Sequence, residues 1–177
     1  MSIVSSSEDR RAPARTHRIE TLYEEHAGRA LRLAILLTGD RHRAEDLVQD
    51  AFVRIVGSFG HLRVRSSFGA YLNRTIVNLS RDRGRRLRLE RREIEREGRA
   101  PRPPAEGQPD LGVREELLGA LAALPHRQRA AIVLRYYQDL SERDVADALG
   151  CSVTAAKALI TRGMETLRKT VRGEIDG

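Results

Sequence analysis

The stretch DLSERDVADALGCSVTAAKALITRGMETLRK, from Asp139 to Lys169, decides how the rest of the chain is read. It predicts two helices joined by a tight turn. Ser141 is a good N-cap residue, and Asp144 stands three positions on, where a capping-box acid belongs. Val145, Ala146 and Leu149 then recur on one helical face. Gly150 follows the last apolar residue, in the place of a left-handed residue that ends a helix. Ser152 can cap the next helix at once. Only Gly150 and Cys151 separate the two helices, too few for a wandering loop.

Small Ala146, the turn at Gly150 and apolar Cys151, Ala156 and Leu159 fit a helix-turn-helix, whose second helix enters the major groove of duplex DNA. An ordinary helical hairpin would carry the same glycine turn, so the surroundings have to decide. The formal net charge is +7 and the isoelectric point about 10.4, which suits a nucleic acid or, less often, an anionic membrane surface. Strand signals are nearly absent, while Leu, Ala, Arg and Glu dominate, so the chain is expected to be all-α. One cysteine, Cys151, excludes an internal disulfide and suits a reducing cytoplasm. The first residues, MSIVSSSEDRRAPAR, lack the apolar segment of a secretory signal. The longest apolar run, Leu31 to Leu37, is too short to span a bilayer and contains Arg32.

Upstream of the motif the chain divides into segments. Residues 1–16 read as a disordered leader. From about His17, Ile19, Leu22, Tyr23, His26, Ala30, Leu33 and Leu37 form an apolar stripe. Gly39 stops that helix and Asp40 can cap the next. The second helix carries Ala44, Leu47, Val48, Ala51 and Ile55 on one face and Asp46, Gln49, Asp50 and Arg54 on the other. After a loop with basic residues, a third helix is expected to bury Phe68, Tyr71, Leu72, Ile76 and Leu79. It runs into a strongly basic end, with ten arginines between Arg81 and Arg102 against five carboxylates. Arg81, Arg83, Arg85 and Arg86, diluted only by Asp82, read as a phosphate-contacting stripe; Arg91 to Arg102 read as a solvated face.

Gly98 to Gly112, GRAPRPPAEGQPDLG, holds four of the six prolines and reads as a flexible linker. The division is therefore leader 1–16, first domain 17–97, linker 98–111 and second domain 112–177, with the two domains expected to move independently. The second domain opens with the stripe Val113, Leu117, Leu118, Leu121 and Leu124, broken by Pro125, and continues from His126 to about Tyr137 into the helix-turn-helix. With the chain ending at Gly177, no built-in regulatory domain is expected.

TLYEEHAGRALRLAILLTGDRHRAEDLVQDAFVRI resembles region 2 of bacterial RNA polymerase sigma factors of the extracytoplasmic-function (ECF) type. AYLNRTIVNLSRDRGRR is similar to the promoter-reading helix of that region, and LAALPHRQRAAIVLRYYQDLSERDVADALGCSV to region 4. The likeness extends from Tyr23 to Arg168, and its phrasing resembles an actinobacterial subgroup. It implies two helical domains of the sigma-70 family, regions 2 and 4 only, and a cytoplasmic initiation factor with no cofactor and no catalytic chemistry. The implied partners are core RNA polymerase (the β′ clamp coiled coil and the β subunit), promoter DNA and, in many members, an anti-sigma factor.

The resemblance assigns Asp46, Leu47, Gln49 and Asp50 to the polymerase. His61, Arg63, Arg65, Ser66, Asn73, Arg74, Asn78, Arg81 and Arg85 fall to the downstream (−10) element, read as single-stranded DNA. There an amide such as Asn78 both donates to and accepts from a base edge. Ser152, Thr154, Ala155, Lys157, Ala158 and Arg162 fall to the upstream (−35) element, read as duplex. Two departures stand out. Phe59 occupies a place where family members often have Trp. Thr154-Ala155-Ala156-Lys157-Ala158 replaces the usual Gly-Thr-Val-Lys-Ser, which puts the strength of upstream recognition in question. The competing reading is a stand-alone helix-turn-helix regulator that binds duplex DNA without polymerase. It leaves the first domain and the basic third helix without a task. An enzyme is disfavoured: no phosphate-binding Gly-rich loop, HExxH, zinc-ligand cluster or nucleophile elbow is present, and the five histidines are scattered.

Overall fold

The structure, a computed structural model, describes residues 11–58, 68–96 and 115–175. All the regular structure among them is helical: α1 (Arg11–Thr38), α2 (Arg41–Ser58), α3 (Phe68–Arg96), α4 (Glu115–Ala122), α5 (His126–Ile132), α6 (Glu142–Leu149) and α7 (Val153–Ile175). The linker lies outside the described residues. Helix α1 starts at Arg11, earlier than the sequence suggests. Its Pro13 falls within the first turn, where a missing N–H costs no helical hydrogen bond.

Helices α1 to α3 form the first unit. Gly39 adopts a left-handed φ of 71° and donates its N–H to the Ile35 carbonyl at 2.7 Å, closing α1. Asp40 caps α2 by accepting from Arg43 N–H at 2.8 Å, which satisfies an otherwise buried carboxylate. The expected stripe of α2 is wholly buried, and Phe52 joins it, stacking between Tyr23 at 4.7 Å and Phe68 at 6.0 Å. Tyr71, expected inside, is 38% exposed, whereas Val77 is buried.

In the second unit α5 continues into a wider turn from Val133 to Tyr137, where Gln138 N–H reaches back to the Val133 carbonyl. The helix-turn-helix forms as read. Ser141 Oγ accepts from Asp144 N–H at 3.2 Å, and Ser152 Oγ accepts from Ala155 N–H at 3.2 Å. Gly150 sits at φ 60°, with Cys151 N–H bonded to the Ala146 carbonyl and Gly150 N–H to that of Asp147. Val145, Ala146 and Ala156 are buried between α6 and α7.

Helices α5 and α7 approach closely at Gly163: a Cβ there would lie 2.7 Å from Ile132 Cδ1 and 3.1 Å from its Cγ1. The Gly163→Leu variant is therefore expected to lower stability by about 2 kcal/mol, overpacking outweighing the gain in helix propensity. A thermal melt that fails to drop would show the contact to be loose.

The two units are packed together, which differs from the independent motion expected of domains joined by a proline-rich linker. Leu33, Ala34, Ile35, Leu36 and Leu37 of α1 are all buried, because α1 serves one core on each side. Helix α6 packs on α3, and α4 and the wide turn after α5 pack on α1. Polar bonds fasten the seam. Arg29 Nη2 donates to the Gln138 carbonyl while Gln138 Nε2 donates to that of Arg29, each at 3.3 Å. Arg129 Nη1 donates to the Leu37 carbonyl at 2.7 Å, and Ser80 Oγ lies 2.8 Å from His126 Nε2.

Candidate functional site

The outer face of α2 is set by helical periodicity. Since Ala44, Leu47, Val48 and Ala51 point into the core, Asp46, Gln49 and Asp50 must point out, and all three are exposed. Leu47 departs from its assignment: it is fully buried and so cannot touch a partner. Asp50 is already paired with Arg83 of α3 at 2.5 Å, and Arg83 also reaches the Arg43 and Asp46 carbonyls. Asp46 carries no side-chain ion pair among the described residues, which leaves its carboxylate open to an incoming guanidinium.

On α3, Asn78 and Thr75 share a concave surface with Tyr71 and with Arg54 of α2, enclosing about 360 Å³. An aromatic ring, an amide and a guanidinium around one hollow are the groups that stack on, hydrogen-bond and neutralise an unpaired nucleotide. Arg54 and Thr75 were not singled out from the sequence. The spacing of Tyr71, Thr75 and Asn78 along one helical face was the available signal. Arg74, Arg81 and Arg85 are exposed, and Arg81 lies 3.4 Å from Asp82. Asn73 is half-buried and, with Arg74, lines a cavity of about 520 Å³ whose opposite wall is α6, including Asp144 and Asp147. Docking of the second unit therefore covers part of this surface with carboxylates. His61, Arg63, Arg65, Ser66 and Phe59 lie outside the described residues.

In the helix-turn-helix, Ala156, Ile160 and Gly163 turn inward, so Ser152, Thr154, Lys157 and Arg162 turn outward with Ala155 and Ala158 at the margins. Lys157 is held 3.2 Å from Glu142 of α6, an exposed pair that a DNA phosphate can displace at little cost. Thr161, one turn beyond Lys157, is exposed on the same stripe and was missed from sequence.

Where α3 meets α5, His126 is held neutral, its pKa lowered to about 4 by burial first and then by Arg129, Arg81, Arg88 and Arg127. Burial, and Arg88 after it, also lower the pKa of Arg129, whose guanidinium bonds the carbonyls of Leu37, Ala122 and Leu124. Among the described residues no group of three or more His, Cys, Asp or Glu is placed to hold a metal ion, and no helix is long and apolar enough to cross a membrane.

The architecture defines a two-unit helical protein with a helix-turn-helix in its second unit. Comparison with known proteins places it further. Residues 22–90 match the model of sigma-70 region 2, and residues 114–167 that of sigma-70 region 4. The chain is 33% identical over 154 residues to the ECF RNA polymerase sigma factor SigE of Mycolicibacterium smegmatis, covering 84% of this chain and 60% of that protein. It is 31% identical over 139 residues to the RNA polymerase sigma-E factor of Streptomyces coelicolor, covering 78% and 77%. Two solved structures share the fold. One is the sigma factor RpoE in complex with the anti-sigma factor NepR from Bartonella quintana, with a TM-score of 0.63 at 24% identity over 89% of this chain and 96% of that one. The other is CnrH in complex with the cytosolic domain of CnrY, with a TM-score of 0.65 at 23% identity over 89% and 90%. The chain belongs to the sigma-70 family of RNA polymerase sigma factors, and its relatives place it among those of ECF type.

Proposed function

We propose that the protein binds core RNA polymerase in the cytoplasm, directs it to promoters carrying defined upstream and downstream elements, and stabilises the melted strand, without chemistry of its own. The observation that carries this reading is the pairing, in one chain, of a helix-turn-helix with a first unit that matches sigma-70 region 2. Asp46, Gln49 and Asp50 would receive basic groups of the polymerase. Asn78, with Tyr71, Thr75 and Arg54 around it, would hold a downstream base, and Arg74, Arg81 and Arg85 the backbone. The outward stripe of α7 would read the upstream duplex. The likeness to the sigma factor RpoE, solved with the anti-sigma factor NepR, supports control by such a partner as a further part of the proposal. Titrating labelled promoter DNA with the protein, alone and with core polymerase, tests the reading. Tight promoter binding is expected only with polymerase present; equally tight, specific binding by the protein alone would favour a stand-alone regulator.

The α7 stripe has alanines at positions 155 and 158, so promoter choice is expected to lean on the downstream element. A good bidentate base contact discriminates by about 1–3 kcal/mol, more than alanine can supply against a thymine methyl. Asn78→Ala is expected to impair transcription selectively at particular downstream bases. Lys157→Ala is expected to weaken all promoters evenly and to make the salt dependence shallower. Base-selective relaxation at the upstream element by Lys157→Ala would make Lys157 a base reader and overturn this division.

A further inference from the structure

A second cavity, of about 430 Å³, opens at the seam between the units. Arg83, Arg86, Arg88 and Arg91 of α3 line one side, and His126 and Arg129 of α5 line the other. Arg43 of α2 and Leu37 and Thr38 of α1 also line it, and no Asp or Glu is among the lining residues. Arg83 is paired with Asp50, and Arg43 lies 3.9 Å from Asp40, but Arg86, Arg88 and Arg91 have no ion pair among the described residues. Two lining side chains carry buried polar atoms without a hydrogen-bond partner among the described residues, His126 Nδ1 and Arg129 Nε. Several guanidiniums thus converge on one partly enclosed space, where a bound anion would offset their mutual repulsion. The cavity shares no residue with the Asn78 hollow, although Arg83 and Arg86 belong to the arginine stripe expected to contact DNA phosphates.

We propose that this cavity is a binding site for a small polyphosphate anion, a chain of two or three linked phosphoryl groups, which bridges the two units and holds them docked. Guanidiniums match phosphate oxygens in planar, two-pronged hydrogen bonds, and several around one site suit a multiply charged chain better than a single phosphate. Because the donors come from both units, the complete site exists only when they are packed together. The ligand therefore binds the docked arrangement in preference and shifts the population toward it. That arrangement covers Asn73 with α6, so the bound anion would oppose use of that surface. A free polyphosphate and a nucleotide present the same chemistry.

The test uses the full chain and two probes, inorganic tripolyphosphate and adenosine triphosphate, titrated separately by calorimetry, with the His126 ring followed by NMR. Saturable one-to-one binding is expected with at least one probe. Equal affinities would assign recognition to the phosphate chain alone, and tighter binding of the nucleotide would add the base; both outcomes support the site. The bound anion is expected to raise the His126 pKa from its present value of about 4. Arg88→Glu, and independently Arg91→Gln, are expected to weaken binding about tenfold or more, the scale of a lost charge-assisted contact. Arg92→Glu, on the same helix but outside the cavity, is expected to have a much smaller effect. Equal losses from Arg88→Glu and Arg92→Glu, an unmoved His126 titration, or no saturation with either probe would overturn the proposal.

Discussion

Replacing Asp46 with arginine is expected to lower the affinity for core RNA polymerase roughly a hundredfold while leaving the protein's own thermal melt unchanged. The side chain is exposed on α2, the helix is anchored by the buried face opposite, and no ion pair within the described residues depends on this carboxylate. Folding therefore loses little. At an interface, juxtaposing like charges costs several kcal/mol, and about 3 kcal/mol corresponds to that hundredfold. Asp50 is a less decisive probe, because changing it also releases Arg83. Competition binding with a fluorescent core complex measures the effect. Unchanged affinity with an intact fold would remove α2 from the polymerase interface.

Arg129→Met is expected to open the seam between the two units. The substitution keeps a long apolar stem but removes donors to three carbonyls: Leu37 across the seam at 2.7 Å, and Ala122 and Leu124 within the second unit at 2.8 and 3.2 Å. Hydrogen bonds from a charged donor contribute about 1.5–3 kcal/mol each, so the combined loss is on the order of several kcal/mol, shared between docking and the α4–α5 corner. Acidification is expected to act in the same direction. His126, facing Ser80 and Arg81 and Arg88 of α3, and Arg127 and Arg129 of its own helix, has its pKa lowered from 6.5 to about 4 in the docked state. Above pH 6.5 the ring is neutral whether docked or open, and docking is at full strength. Between 6.5 and 4 the open state takes up a proton that the docked state refuses, so docking weakens as pH falls. Hydrogen exchange at α3 and α6 reads both effects. Protection that is insensitive to Arg129→Met and to pH would mean that the apolar faces alone hold the units together.

How much of this was legible in the sequence follows from the physics of each part. The helix-turn-helix was, down to its caps, because Ser141, Gly150 and Ser152 act on backbone groups only a few residues away. The buried face of α2 was too, since one-sided burial leaves a clear period. That same period placed Asp46, Gln49 and Asp50 outward but could not exempt Leu47, which belongs to the buried set. Tyr71 was misplaced because a tyrosine serves equally as core filler or as the wall of a hollow. Docking of the two units was less visible. Its signal was the unbroken run from Leu33 to Leu37, too wide for a single stripe, while the proline-rich segment drew attention to separation. The seam's polar contacts join residues remote in sequence, such as Arg29 with Gln138 and Ser80 with His126, and local pattern holds no trace of such pairs.

A sigma factor confers promoter selectivity on RNA polymerase, and this chain is expected to do so. The most direct measurement is run-off transcription by purified core polymerase on a promoter library randomised at both elements, with and without the protein. Transcripts are expected only when the protein is added, enriched for one upstream and one downstream sequence, and strongly reduced by Asp46→Arg. Transcription that is unselective, or that does not respond to the protein although the protein binds duplex DNA on its own, would contradict it.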